Sequence, residues 1–96
     1  MALLDSQVAV LANQALNWMA SGVVPHRMGN GHANLTPYQA FACADGELII
    51  AVGNDGQFRK LCEVLGLTLA DDPRFATSPQ RLGHRAEMLA ILSATI

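Results

Sequence analysis

From Leu3 to Ser21 the chain runs without proline or glycine, and apolar residues recur at Leu4, Val8, Leu11, Ala15 and Trp18. That spacing predicts a helix, closed by Gly22 in the left-handed conformation common at helix C-termini. Leu3, Val10, Ala12, Leu16 and Met19 fall on other faces, leaving one polar stripe of Gln7, Gln14, Asn17 and Ser21. A helix apolar on most sides is expected to be buried on more than one of them. Residues 22–37 (GVVPHRMGNGHANLTP) follow, with three glycines, two prolines and two asparagines. They predict a long irregular connection that is flexible or faces a ligand.

Two β-type runs come next, YQAFAC (38–43) and ELIIAV (47–52), around Ala44-Asp45-Gly46. Asp-Gly between such runs predicts a hairpin with a type I′ turn, in which both central residues take positive φ. Ile49 and Ile50 point to opposite faces, so the second strand is expected to be covered on both sides. Phe58, Leu61, Cys62 and Leu65 repeat at helical spacing up to Gly66 and predict a helix over 56–65. Asn54 with Gln57 three residues later reads as a capping box at its start. Asp71-Asp72-Pro73-Arg74-Phe75 reads as a turn, and Ser78-Pro79 as an N-cap with proline at the first helical position. A last helix over Leu82, Ala86, Leu89, Leu92 and Ile96 is interrupted near Gly83-His84. The expected fold is α+β: N-terminal helix, long loop, small antiparallel hairpin sheet, then packed C-terminal helices.

Composition narrows the function classes. At 96 residues the chain makes one small globular unit, yet it is 51% hydrophobic and only 15% charged. Apolar surface is therefore expected to end against another chain. A net charge of −2, with basic residues scattered, argues against nucleic acid. Cys43 and Cys62 form no CxxC and read as free buried thiols. His26, His32 and His84 have no zinc-ligand spacing, so no metal site is expected. Neither a leader pattern nor an apolar run long enough to span a bilayer is present, and a cytoplasmic location is the default.

The loop AVGNDGQF (51–58) raises the question of chemistry: Gly53, Asn54, Asp55, Gly56 and Gln57 lie where a strand hands over to a helix. A capped helix start alone explains Asn54. The same orphan amides can also hold an anion.

LLDSQ, GNGHANLTPYQAF, ADGELIIAVGNDGQF, LCEVLG and DDPRFATSPQR together resemble the family III CoA-transferases, whose relatives include formyl-CoA and carnitine CoA-transferases and the α-methylacyl-CoA racemases. The resemblance runs from Leu3 to about Leu92. It implies that Asp5 matches the catalytic aspartate, which attacks an acyl-CoA thioester and passes through a mixed anhydride to an aspartyl-CoA thioester. It also implies that Asn54, Asp55 and Gln57, with Gly53 and Gly56, wall the site, since racemases use an acid at the Asp55 position in proton transfer. Coenzyme A is then a substrate, with no bound cofactor.

Family members are several times longer and begin with a doubly wound domain that binds the CoA nucleotide. The resemblance therefore implies residues 1–22 as the end of a large-domain segment and 23–96 as the small α+β domain. On this reading the chain is a truncated piece, inactive alone, that acts with a complementing CoA-transferase chain. The alternative is a non-catalytic module that oligomerises or binds. Either way, a homo-oligomer through the N-terminal helix is expected, most simply a twofold dimer burying Leu4, Val8, Leu11 and Trp18.

Overall fold

The computed structural model describes all 96 residues. Its elements run α1 (Leu3–Val10), α2 (Ala12–Ser21), β1 (Tyr38–Cys43), β2 (Gly46–Ala51), α3 (Asp55–Leu65), a 3-10 turn (Leu69–Asp71), α4 (Ser78–Gly83) and α5 (Arg85–Thr95). Five helices and one two-stranded antiparallel sheet make an α+β fold.

One core holds the later part of the chain together. Phe41 and Val52 come from the hairpin, Phe58 and Cys62 from α3, Ala70 and Phe75 from the connection, and Met88 and Leu92 from α5. Phe58, Phe75, Met88 and Leu92 are fully buried. Met88, not Ala86, faces the core: Arg81, Arg85, Met88 and Leu92 make the inward stripe, and Ala86 is exposed. Gly66 ends α3 with a φ of 67°, a conformation that a side chain would strain.

The hairpin departs from expectation at its turn and its second strand. Register pairs Phe41 with Leu48 and Cys43 with Gly46, so the two-residue loop is Ala44–Asp45 rather than Asp45–Gly46. No residue other than glycine has positive φ, and Gly46, at 159°, lies at the edge of extended backbone. The I′ turn is therefore not formed, since the pairing that turns Phe41 and Val52 inward decides which residues remain for the loop. Nor is β2 covered on both faces. Ile50 packs against the core, while Ile49 stays 76% exposed because the helices cover only one side of the sheet.

Two helix starts are shifted as well. Thr77, not Ser78, caps α4: its amide and hydroxyl both donate to Gln80 Oε1, at 3.3 and 2.9 Å. Pro79 consequently falls one position further into the helix.

The N-terminal segment is the largest departure. The single helix expected over Leu3–Ser21 divides at Leu11, whose ψ of 4° and hydrogen bond to Val8 O mark one tightened turn. Far from being buried on several faces, neither α1 nor α2 buries any residue. Most of the exposed large apolar side chains lie before residue 29, among them Leu3, Leu4, Val8, Val10, Leu16, Trp18 and Met19. The body closes its core without them. A compact unit of this length has a radius of gyration of about 12–13 Å; this chain measures 15.7 Å, with extents of 50 × 32 × 20 Å. The helices form an arm, tied to the connection by a hydrogen bond of 3.0 Å from Asn34 Nδ2 to Asn17 Oδ1.

Candidate functional site

Asn54 is the cap of α3. Its Oδ1 accepts the Gln57 amide at 2.9 Å. Gln57 Oε1 reaches back, but to the amide of Gly53 at 2.7 Å rather than to that of Asn54. The reciprocal box is thus widened by one residue, with Asn54 itself extended at φ −155° and ψ 172°. Gly53, Asn54, Asp55, Gly56 and Gln57 are all exposed, and the two side-chain bonds fix the backbone between them.

Asp55 opens α3 and is held from below. Its Oδ1 accepts from Arg81 Nη2 at 2.8 Å, with the Asp55 side chain 54% exposed and that of Arg81 only 1%. Arg81 also donates from Nε to Thr36 O at 3.2 Å and from Nη1 to Phe75 O at 3.0 Å. Its guanidinium stands 4.5 Å from the centre of the Phe58 ring. A buried arginine is tolerated where every nitrogen has a partner and an aromatic face covers the plane. Arg81 meets both conditions.

The segment before β1 is held from the same side. Arg85 Nη2 donates to His32 O and Ala33 O at 2.8 and 3.0 Å, and partial burial lowers its pKa. His32 Nδ1 accepts the amides of Asn34 and Leu35, and its ring stacks on Tyr38 at 5.0 Å. The connection over 22–37 is irregular, as expected, and its residues 32–36 are fixed by these polar contacts. The basic residue Arg81 had read only as one of a scattered set. Of its partners only Phe75 is near in sequence; Thr36 and Asp55 lie 45 and 26 positions away, and no local pattern connects them.

Asp5 lies in the first turn of α1, exposed, with no hydrogen bond or ion pair to any other side chain. Nothing joins it to residues 53–57: the fold holds the two predicted halves of the site on separate regions. Two grooves flank the arm instead. One of about 490 Å³ lies between α2 and the connection, lined in part by Asn17, Val23, Val24 and Met28. The other, about 390 Å³, runs over Leu11, Ala15, Trp18 and Pro25. No three His, Cys, Asp or Glu side chains gather where they could hold a metal ion.

Comparison with known proteins decides the family, because CoA-transferase family III matches residues 1–96. The chain belongs to that family. A succinate–glutarate CoA-transferase of Agrobacterium fabrum is 55% identical over 94 residues, covering 97% of this chain and 24% of that protein. The mouse succinyl-CoA:glutarate CoA-transferase is 42% identical over 93 residues, covering 96% and 21%. The crystal structure of a CaiB/BaiF family protein from Brucella suis superposes with a TM-score of 0.73 at 53% identity. It covers 99% of this chain and 25% of that one. The chain thus spans about a quarter of the length of these relatives of CoA-transferase family III.

Proposed function

We propose that this chain supplies the nucleophile and part of the site wall of an acyl-CoA:carboxylate CoA-transferase acting on short dicarboxylic acids. The family match across residues 1–96, shared with relatives named for succinate and glutarate, carries the reading. Asp5 attacks the thioester carbonyl and expels CoA thiolate, leaving an acyl-aspartyl anhydride. The thiolate then attacks the aspartyl carbonyl, giving aspartyl-CoA and the free acid. The second acid reverses the sequence. Coenzyme A is a substrate throughout, and no resident cofactor takes part.

A carboxylate does this usefully only at near-attack distance and with its oxyanion stabilised. Asp5 has neither within this chain, so transfer is assigned to a complex with the remaining part of a family III protein. Asp55, Asn54 and Gln57 border the reacting groups in that complex. A cytoplasmic setting belongs to the same proposal, supported by two free cysteines of the kind a reducing compartment maintains.

The exposed arm favours a second reading, a non-catalytic module that pairs with its own copy through Leu4, Val8, Leu11 and Trp18. One assay separates the two. CoA transfer from succinyl-CoA to glutarate is measured for the chain alone and mixed with a polypeptide carrying the unmatched remainder of the Agrobacterium relative. The transferase reading expects no transfer alone, transfer in the mixture, and its loss with Asp5→Asn. An inactive mixture, or activity that survives Asp5→Asn, overturns it.

A further inference from the structure

We propose that Arg81 is a positioning residue for Asp55, coupling that carboxylate to the 32–36 segment so that both are set by one buried guanidinium. The inference rests on the reading of Asp55 as part of the site wall.

The geometry is asymmetric. Arg81 meets Asp55 through a single nitrogen and a single oxygen, Nη2 and Oδ1, at 2.8 Å. Oδ2 is left free on a side chain that is half exposed. Arginine–carboxylate pairs are frequently bidentate, with two parallel N–H donors on two oxygens; this one is not. Here the other two nitrogens are committed to the carbonyls of Thr36 and Phe75. Arg81 therefore spends its donors fixing where Asp55 stands relative to two other segments, and one carboxylate oxygen remains available outward. One helical turn later, Arg85 holds the other end of the same segment through the carbonyls of His32 and Ala33. The two arginines straddle the break at His84, so the α4–α5 corner holds residues 32–36 at both ends while Arg81 alone reaches across to Asp55.

Substitution should separate positioning from packing. Lysine keeps the charge but offers one ammonium to three partners in three directions, so Arg81→Lys should fail to restore what Arg81→Met removes. The Asn54 cap is independent of Arg81, which leaves the Gln57 amide as an internal reporter that α3 still starts correctly.

The test uses the isotopically labelled chain and needs no activity. Three-bond couplings to the Asp55 carboxyl carbon report its χ1 rotamer. Expected are one rotamer in the wild type, averaging over rotamers in both Arg81→Met and Arg81→Lys, and an unchanged, protected Gln57 amide. Asp55→Asn should in turn shift the Arg81 Nη2–H resonances and speed their exchange, a readout that stands even if the Arg81 variants fold poorly. An Asp55 side chain already averaged in the wild type, or unmoved by loss of Arg81, overturns the proposal and leaves Arg81 as packing for Phe58. In the mixed transfer assay, Arg81→Met should add nothing to the loss caused by Asp55→Asn. Additive losses would likewise overturn it, whereas a mixture with no transfer at all counts against the proposed function and leaves the coupling result to stand.

Discussion

The arm formed by α1 and α2 and the body from Thr36 onward are built from comparably apolar sequence, yet they fold in opposite ways. The body turns Phe41, Phe58, Phe75, Met88 and Leu92 onto one another and closes. The arm turns Leu4, Val8, Leu16 and Trp18 toward solvent and closes on nothing. Helical periodicity is satisfied in both. What differs is that other elements of the chain receive the apolar faces of the body, and none receives those of the arm. Hydrophobic pattern marks an apolar face; it does not specify whether another element of the same chain receives it.

The contrast is sharpest in the cost of truncation. Phe58→Ala should lose about 3–5 kcal/mol, enough to unfold most of so small a body. Trp18→Ala, at dilute concentration, should cost under about 0.5 kcal/mol, in keeping with an exposed position. Urea unfolding followed by circular dichroism checks both, and a Trp18 effect as large as that of Phe58 would show that the arm packs on the body. Next comes Arg81→Met, expected to cost about 2–4 kcal/mol because charge-assisted bonds to two buried carbonyls and Asp55 are lost together. Thermal melting reads it, and Arg74, on the surface between Asp72 and Glu87, is the control that should stay within about 0.5 kcal/mol.

Smaller still is Asn54→Ala, about 1 kcal/mol for one lost cap, measured by hydrogen exchange at Gln57. The smallest effect concerns Cys62, whose thiol is pushed above its ordinary value of 9.0 chiefly by burial. A raised folded-state pKa means that its contribution to stability is complete below about pH 9 and is lost as pH rises through the folded value. Iodoacetamide at pH 8 should accordingly modify half-buried Cys43 well before Cys62.

The strand at 38–43, the helix from 55 to 65 and its stop at Gly66, and the interruption at His84 all follow from local signals: alternation, helical spacing and turn chemistry. The turn at Ala44–Asp45 did not, because register is set by which side chains face α3 and not by the turn residues alone. Asn54 was legible as a cap. The pairing of Asp55 with Arg81 was not, since it joins segments 26 positions apart and depends on Phe58 being under the guanidinium. Asp5 was legible only through resemblance to a family, and the structure gives it no partner that would mark it as reactive.

Asp5 is expected to be chemically silent within this chain and reactive only when the rest of a family III protein supplies its surroundings. Hydroxylamine trapping followed by peptide mass spectrometry measures this directly, with succinyl-CoA offered to the chain alone and to the chain mixed with the remainder of the Agrobacterium relative. An Asp5 hydroxamate is expected in the mixture and none in the chain alone. A hydroxamate at Asp5 in the chain alone, or transfer in the mixture with Asp5 unmodified, would contradict that expectation.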